Sequence, residues 1–210
     1  MAIKPLKTIV YVDGFNLYYG ALRKTRHKWL DLAKFCQTLL PNDNVAAIKY
    51  FTAKVSGNRR DPDSPIRQQL YLRALATLPN VSVVYGHFLT HSVMMPETNS
   101  NPLRWVRVEK TEEKGSDVNL AAHLIRDAFR GEFELAVVIS NDSDLREPVR
   151  IVRQELKFPV GIFNPHQTHS KELQEFATFR KRIRETDLAS SQFPDPLQDA
   201  KGVFRKPRGW

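Results

Sequence analysis

The sequence predicts an α/β fold in which a mostly parallel central sheet is covered by helices on both faces, a three-layer α/β/α architecture. Three observations support this prediction. Strand-like and helix-like patterns alternate along the chain, as they do in βαβ units. Residues 8–12 and 133–140 are almost uninterrupted apolar runs, which is typical of parallel strands buried on both faces. A chain of 210 residues is long enough for one domain of this kind.

The individual elements follow from periodicity and from the turn residues between them. Strand patterns occur at residues 8–12, 45–52, 81–88, 103–108, 133–140 and 160–163, with 103–108 expected beside 81–88. Helical patterns occur at residues 17–25, 30–40, 64–78, 115–130, 145–156 and 171–177, and residues 179–183 are left undecided. The turn-rich stretch 54–63 is predicted to be an exposed loop, and 89–102 an irregular excursion.

For two of the predicted helices, the sequence also indicates which residues face the protein core, and for one of them which residue begins the helix. Ser64 is expected to cap the helix over 64–78, with Pro65 at its first helical position. The spacing predicts that this helix packs inward through Ile66, Leu70, Ala74 and Leu78. Apolar residues of the helix over 115–130 lie on one face, namely Val118, Ala121, Ala122, Ile125 and Phe129.

Domain organisation is predicted to be simple. Residues 1–188 are expected to form a single domain. Residues 189–210 are a basic tail that contains proline and glycine, and it is expected either to be disordered or to wrap across the domain. The sequence contains no internal repeat.

The composition is that of a soluble globular protein with excess positive charge. Hydrophobic residues make up 41% of the chain, and no run approaches the ~18 apolar residues of a membrane-spanning helix. The first residues lack the apolar core of a signal peptide, and the single cysteine, Cys36, cannot form an internal disulfide. We therefore expect a cytoplasmic protein in which Cys36 packs as a small apolar residue.

The 32 basic and 23 acidic residues leave a charge of +9, which favours nucleic acid as a partner.

Carboxylates occur at three separated places where a strand ends or a helix begins. Asp13 follows the first strand, Asp142 and Asp144 follow the strand over 133–140, and Asp117 lies in the first turn of the helix over 115–130. Because the two strands are expected side by side at the centre of a parallel sheet, these groups can converge at its carboxyl edge. Ligands bind at this edge in open α/β sheets.

Each of these acids also has a local structural explanation. Asp117 is favourable near a helix N-terminus, Asp142 or Asp144 can cap the helix that follows, and Asp13 can hold a turn. Capping does not, however, require three elements to direct acids at one edge. Carboxylates brought together repel one another, and a divalent cation removes this penalty. Oxygen ligands alone favour Mg²⁺ or Mn²⁺ over zinc.

The chemistry that this pattern predicts is metal-dependent hydrolysis of phosphodiester bonds. The candidate metal ligands are Asp13, Asp117, Asp142 and Asp144. Asn16 is added to the candidate catalytic residues because it can position a phosphate or a metal-bound water. The candidate substrate contacts are Lys114, Ser140 and Asn141, although Lys114 is explained equally well as a solvated surface lysine.

Three sequence blocks together resemble the NYN domain family (LabA-like proteins) of the PIN-like nuclease superfamily. The blocks are DGFNL at residues 13–17, KGSDV at 114–118 and SNDSDL at 140–145. The resemblance implies a PIN-like, Rossmann-like architecture, a metal-dependent ribonuclease site and RNA as the partner. It places the acidic positions of the family on Asp13, Asp117, Asp142 and Asp144, with Asn16 beside them. Asn141 stands where many members carry glycine, and asparagine tolerates the same left-handed backbone.

The leading prediction is therefore a ribonuclease, and we expect single-stranded RNA to be its substrate. One alternative is a nucleic-acid-binding or regulatory module that retains the acidic pocket without significant catalysis. Another is a phosphatase of small phosphate esters, which needs an aspartyl nucleophile and a second aspartate two residues later. Asp142 and Asp144 have this spacing, whereas Phe15 occupies the corresponding position after Asp13.

Several weaker signals are open to two interpretations. His166 and His169 are three residues apart, and a surface loop is favoured over a metal site. Four aromatic residues are candidates for base stacking or for core packing: Tyr18, Tyr19, Trp29 and Trp105. Candidate phosphate contacts, which are equally well explained as solvated residues, are Arg59, Arg60, Arg104, Arg107 and the basic residues of 201–208.

Overall fold

The computed structural model describes residues 4–57, 59, 61–168 and 170–210. The strands of this described chain are β1 (Lys7–Asp13), β2 (Asn44–Thr52), β3 (Val81–Tyr85), β4 (His87–Pro96), β5 (Trp105–Lys114), β6 (Leu135–Ile139), β7 (Val160–Asn164), β8 (Phe179–Arg182), β9 (Leu197–Asp199) and β10 (Gly202–Phe204). Six of them form one parallel sheet in the order β3-β2-β1-β6-β7-β8. The order reverses between β1 and β6, which opens a crevice at the carboxyl ends of these two strands.

The helices are α1 (Gly14–Leu17), α2 (Leu32–Leu39), α3 (Ser64–Leu75), α4 (Ser116–Phe129), α5 (Arg146–Arg150), α6 (Lys171–Gln174) and α7 (Glu185–Ala189). Two of them, α1 and α5, continue as π-helical turns over Tyr18–Leu22 and Ile151–Glu155. A short 3₁₀ turn, Ser143–Leu145, precedes α5. No helix in the described part of the chain combines the length and the apolar character needed to cross a bilayer.

Helices cover both faces of the sheet, which confirms the predicted three-layer fold. Side chains of β1 alternate between two cores: Val10 and Val12 enter the core under α1, α2, α3 and α7, whereas Ile9 and Tyr11 enter the core under α4, α5 and α6. This double burial explains why the β1 sequence is a continuous apolar run. Cys36 is buried in the first core, and burial raises the pKa of its thiol.

The largest departure from the sequence prediction lies between β3 and α4. The third strand ends at Tyr85 rather than near Phe88, and residues 89–102 are not irregular throughout. Instead β4 and β5 form an antiparallel two-stranded unit, from the pair His87–Lys114 to the pair Pro96–Trp105, which we call the ribbon. The strand expected over 103–108 was therefore placed wrongly, because β5 pairs with β4 and not with β3.

Helix α3 packs inward through most of the predicted residues, since Ala74 belongs to the first core and Leu70 and Leu78 pack against it. Ile66 is 58% exposed, and the buried residues of α3 are Tyr71, Ala74 and Leu75. Ser64 is the first helical residue rather than the cap, since Asp63 occupies the N-cap position. The helix ends at Leu75, before the predicted end at residue 78, and a turn connects it to Pro79.

The apolar face predicted for α4 packs only in part, because Ala121 and Ile125 contact the second core from its edge. The buried apolar residues of α4 are Leu120, Leu124 and Ala128. Val118 and Phe129, at the two ends of the predicted face, are 70% and 81% exposed. The helix thus carries apolar residues on two faces, and the sequence pattern alone did not distinguish the buried one.

The C-terminal residues wrap across the domain, which was one of the two expectations for them. The indole ring of Trp29 contacts the rings of Phe193, Phe204 and Trp210, with centroid distances of 5.7, 6.3 and 6.4 Å. Arg73 of α3 forms an ion pair with Asp199 at 2.6 Å, which fixes the β9–β10 hairpin to the core. The undecided residues 179–183 contribute β8, the edge strand of the sheet.

Candidate active site

Three of the four predicted carboxylates lie at the crevice between β1 and β6. Asp13 is the last residue of β1, Asp142 follows the end of β6, and Asp117 lies in the first turn of α4. One carboxylate oxygen from each of the three lies within 4.8 Å of the other two. Asp13 is buried, with 4% exposure, while Asp117 and Asp142 are half-buried. The acids from three separate segments of the chain therefore meet, and we call them the acid cluster.

Hydrogen bonds from the neighbouring backbone and side chains hold the acid cluster in place. Asp13 caps α1: its Oδ1 accepts from the backbone N–H of Asn16 at 2.9 Å. Its Oδ2 accepts from the Ser140 hydroxyl at 2.9 Å. The same hydroxyl oxygen accepts from the backbone N–H of Asp142 at 3.1 Å, so that Ser140 joins two of the acids.

Asn16 and Asn141 connect the loops that carry these acids. The side-chain oxygen of Asn16 accepts from the backbone N–H of Asn141 at 2.9 Å, which ties α1 to the loop after β6. The side-chain oxygen of Asn141 accepts in turn from the backbone N–H of Ser170 at 2.8 Å. Both amides therefore position the backbone of the site, and glycine at position 141 would not supply the second contact.

The electrostatics of the acid cluster are unfavourable without a cation. Burial, together with repulsion from Asp117 and Asp142, raises the pKa of Asp13 to about 7 despite the hydrogen bonds from Asn16 and Ser140. Burial and the neighbouring acids, including Glu113, raise the pKa of Asp117 to about 6. Among the described residues, no lysine or arginine forms an ion pair with any of the three acids.

This donor set fits a hard divalent cation. Three carboxylates from rigid elements present oxygen atoms to one point, and their mutual repulsion disappears when positive charge is placed among them. Oxygen-only ligands are those that Mg²⁺ and Mn²⁺ prefer. The residues that could hold the ion are Asp13, Asp117 and Asp142.

Two further predicted site residues, Asp144 and Lys114, also lie outside the acid cluster. The side chain of Asp144 is exposed, and its backbone N–H donates to Asp142 Oδ1 at 3.0 Å. Its charge nevertheless contributes to the raised pKa of Asp117. Lys114 is exposed at the end of β5, and its ammonium group lies 3.1 Å from a carboxylate oxygen of Glu112.

The cleft over the acid cluster contains residues that the sequence did not assign to the acidic site, and of these only Tyr19 and His166 had been noted as weaker signals. It has a volume of about 330 Å³, and its walls include Phe15, Tyr19, Phe88, Glu113, Ser116 and His166. Glu113 accepts a hydrogen bond from the backbone N–H of Ser116 at 3.0 Å and so caps α4. Its position directly before the block at residues 114–118 was the only available signal. Phe88 carried none, because the ribbon that delivers it was not predicted.

A larger groove adjoins the cleft and shares Phe15, Tyr19 and Phe88 with it. Its volume is about 640 Å³. The lining is both aromatic and basic, and it further includes Tyr18, Tyr50, Tyr71, Trp210, Arg23, Lys28 and Arg67. Tyr19 stands between the two spaces with 58% of its surface exposed, and Arg23 lies over its ring at 5.4 Å. We call this space the aromatic groove.

The weaker sequence signals are distributed over several places. Trp29 is a core residue, whereas Tyr18 and Tyr19 line the aromatic groove and Trp105 lies exposed on the ribbon. His166 lines the cleft, and His169 lies outside the described residues.

The predicted phosphate contacts are equally scattered. Arg59 is exposed, and Arg60 lies outside the described residues. Arg104 and Arg107 belong to the ribbon and its turn, and the basic residues of 201–208 belong to the C-terminal wrap. None of the described members of this set lines the cleft or the aromatic groove.

Fold and site together define an α/β protein with a carboxylate centre at the switch point of a parallel sheet. The NYN domain family model matches residues 7–181, and the chain belongs to the NYN domain family. The resemblance read from the three sequence blocks is thereby confirmed.

Two known proteins extend this comparison. The chain is 30% identical to 6-hydroxy-3-succinoylpyridine 3-monooxygenase HspA of Pseudomonas putida (strain DSM 28022 / S16), over 99% of this chain and 76% of that protein. Its fold is similar to the crystal structure of a protein of unknown function from Vibrio parahaemolyticus. This similarity has a TM-score of 0.57 at 18% identity and covers 88% of this chain and 97% of the other. At such low identity it supports the fold alone.

Proposed function

We propose that the protein is a metal-dependent endoribonuclease that uses Mg²⁺ or Mn²⁺ to hydrolyse phosphodiester bonds in single-stranded RNA. The observation that carries the proposal is the acid cluster: three carboxylates within 4.8 Å of one another, with no basic partner among the described residues. Membership of the NYN domain family supports a nuclease-type reaction and a nucleic-acid substrate. The net charge of +9 supports a polyanionic substrate.

Each site residue has a defined part in this proposal. Asp13, Asp117 and Asp142 hold the cation, and the exposed Asp144 adds negative charge beside Asp142. A bound divalent cation would activate water and stabilise the leaving oxygen of a phosphodiester. Ser140 is fully buried and holds Asp13, so it acts as a positioning residue rather than as a substrate contact.

The remaining polar residues act on the backbone and on the substrate. Asn16 and Asn141 fix the loops around the acid cluster through backbone hydrogen bonds. Lys114, at the end of the ribbon, contacts a phosphate at the rim of the cleft. This contact is solvent-exposed, and we therefore assign it a small share of the binding energy.

The aromatic groove supports single-stranded rather than double-stranded RNA. Unpaired bases stack on aromatic side chains, and Tyr18, Tyr19 and Phe88 present rings beside the cleft. Arg23 and Lys28 line the same groove and supply positive charge for the backbone, whereas Arg67 in the same lining is paired with Asp61. A duplex keeps its bases stacked on one another and does not present them to such a groove.

The proposal is tested by cleavage of end-labelled single-stranded RNA in Mg²⁺, Mn²⁺ and EDTA, with Asp142→Asn as the variant. We expect cleavage in either metal, none in EDTA, and a loss of at least ~100-fold in the variant. The matched control is Asp43→Asn, since Asp43 lies before β2 at the opposite edge of the sheet. It should leave cleavage unchanged.

Other outcomes would contradict the proposal. RNA binding without metal-dependent cleavage would identify a binding or regulatory module. Release of phosphate from monoesters, with intact RNA, would identify a phosphatase. Equal cleavage by the parent protein and Asp142→Asn would show that the acid cluster is not the site.

A second candidate function is oxygenation of a hydroxypyridine ring, which is favoured by the 30% identity to the Pseudomonas putida monooxygenase. The aromatic groove has room for one such ring, but the three-carboxylate donor set is more typical of a hydrolytic metal site. Oxygen uptake with 6-hydroxy-3-succinoylpyridine and NADH or reduced flavin tests this candidate. Uptake that depends on the pyridine, without RNA cleavage, would replace the nuclease proposal.

A further inference from the structure

Two buried hydroxyl groups in the aromatic groove have no hydrogen-bond partner among the described residues. They belong to Tyr50 and Thr52, which are 8% and 2% exposed and lie two residues apart on β2, so that both side chains point to the same side of the sheet. Within the described chain, Nδ1 of His91 is the only buried side-chain polar atom that has neither a partner nor access to solvent. The hydroxyl groups of Tyr50 and Thr52 therefore reach the open space of the groove.

Other polar side chains that line the groove are satisfied within the protein. The hydroxyl of Tyr71 donates to the backbone oxygen of Leu30 at 2.9 Å. The amide of Gln68 donates to the backbone oxygen of Ala53 at 2.8 Å and accepts from the backbone N–H of Val55 at 2.9 Å. Buried polar groups in proteins are normally hydrogen-bonded, and a missing partner is costly. The two open hydroxyl groups on β2 are therefore suited to a polar ligand.

The hydroxyl of Tyr50 lies directly beside the acid cluster. In the strand register Asp13 pairs with Phe51, the next residue of β2. A Cβ atom at position 14 would lie 2.7 Å from the hydroxyl oxygen of Tyr50, so only glycine permits this close approach. Since Gly14 is bonded to Asp13, a ligand that contacts Tyr50 in the groove lies next to a phosphate held at the acid cluster.

The walls of the groove are suited to a flat ring and a phosphate. Tyr19 is 58% exposed, and the rings of Phe15 and Phe88 lie 6.0 Å apart. Nucleic-acid bases stack on such rings whatever their sequence. Among the described residues, Arg23 and Lys28 form no ion pair with a carboxylate, so both can bind a phosphate. The groove thus combines stacking surfaces, positive charge and two buried hydroxyl groups.

We propose that the aromatic groove binds one unpaired nucleotide of the substrate, with the hydroxyl groups of Tyr50 and Thr52 hydrogen-bonded to the edge of its base. This inference rests on the proposed function, because it takes RNA as the substrate. Each hydroxyl rotates and can donate or accept, so the two groups bind the polar edge of any base. In a duplex this edge is already paired. Tyr50 and Thr52 therefore select unpaired nucleotides and do not take part in the cleavage step.

The test is the affinity of the full chain for a fluorescently labelled single-stranded RNA hexanucleotide, measured by anisotropy in EDTA so that no cleavage occurs. We expect Tyr50→Phe and Thr52→Val each to raise Kd at least about five-fold. Neither variant should lower the melting temperature, because neither hydroxyl has a partner in the described chain. The matched control is Tyr11→Phe, whose hydroxyl donates to Asp127 at 2.7 Å on the other side of the sheet. It should lower the melting temperature and leave Kd unchanged.

Several outcomes would overturn the inference. An unchanged Kd in both variants, or an equal rise in Tyr11→Phe, would show that the hydroxyl groups do not contact RNA. Binding of 6-hydroxy-3-succinoylpyridine but not of RNA, weakened in Tyr50→Phe, would assign the groove to a small aromatic acid. Cleavage that requires Asp142, with equal RNA affinity in all variants, would leave the nuclease proposal standing without this inference. Weaker RNA binding in both variants, without cleavage by the parent protein, would support the inference and remove the nuclease proposal.

Discussion

Two buried carboxylates beside the same strand have opposite electrostatic surroundings. Asp127 of α4 accepts hydrogen bonds from the Tyr11 hydroxyl at 2.7 Å, from Arg126 at 2.8 Å and from Lys49. Burial alone would raise the pKa of Asp127, but these partners outweigh it and hold the pKa below its usual value. Asp13, two residues beyond Tyr11 on β1, has hydrogen-bond donors but no cation, and its pKa is raised to about 7.

This difference in neighbouring charge distinguishes an acid with a structural role from acids that form a binding site. Asp127 is neutralised by positive charge from the chain itself, so it requires nothing further. The acid cluster collects three negative groups and, within the described residues, receives no positive charge from the chain. A divalent cation bound among the three acids would supply the missing positive charge.

The largest effect is expected from a substitution of Asp127, on the stability of the folded protein. Asp127→Asn leaves the largely buried ammonium group of Lys49 without its carboxylate, and we expect a loss of about 3 kcal/mol in the free energy of unfolding. Urea unfolding followed by circular dichroism measures it. The control Asp43→Asn should change this free energy by less than ~0.5 kcal/mol. A loss no larger than that of the control would show that the buried pair is not structural.

The pH dependence of stability should have opposite signs at the two places. The pKa values of Asp13 and Asp117 are about 7 and about 6 in the folded protein, above their usual value of 3.8. The folded state then binds more protons than the unfolded state between about pH 4 and pH 7, so these groups destabilise the protein as pH rises through this window. Asp127 contributes stability at neutral pH that is lost as pH falls through its lowered pKa.

Thermal melts in EDTA and in Mg²⁺ across this window isolate the contribution of the acid cluster. The stabilisation by Mg²⁺ should be small near pH 5 and largest above pH 7, where both carboxyl groups are ionised. Stabilisation by Mg²⁺ that does not change with pH would contradict this assignment.

Removing one charge from the acid cluster should stabilise the metal-free protein. Asp117→Asn relieves the repulsion among the three acids, and we expect a gain of about 1 kcal/mol in EDTA at pH 8. The same variant should lose most of the stabilisation by Mg²⁺. Destabilisation in EDTA, as in Asp127→Asn, would mean that the acid cluster is neutralised within the protein.

The smallest effect is expected at the rim of the cleft. Lys114→Ala removes an exposed ammonium group that is already shared with Glu112, so KM for RNA should rise about two- to five-fold with little change in kcat. Steady-state kinetics at low salt measures both constants, and higher salt should reduce the difference. A large fall in kcat would place Lys114 at the reacting phosphate instead.

The elements that position the acid cluster were predictable from sequence because their patterns are local. The buried runs of β1 and β6 have no alternation of polar residues, and Asp13 and Asp142 follow them directly. The neighbouring placement of these strands followed from general rules for parallel sheets. The sequence therefore also predicted that Asp117 would lie beside Asp13 and Asp142, and the three acids lie together in the structure.

Other features could not be predicted because they depend on tertiary packing. The choice between the two apolar faces of α4 is made by the sheet beneath it, and the sequence of the helix favours neither. The ribbon was missed because its two strands pair with each other and with no strand of the six-stranded sheet. Phe88 and the aromatic groove depend on that pairing and on the C-terminal wrap that brings Trp210 to the groove.

The central claim is that Asp13, Asp117 and Asp142 together bind a divalent cation, and calorimetric titration with Mn²⁺ tests it most directly. We expect saturable binding to the parent protein and to Asp43→Asn, and at least ~10-fold weaker binding to Asp142→Asn. Equal affinity of Mn²⁺ for the parent protein and Asp142→Asn would contradict the account.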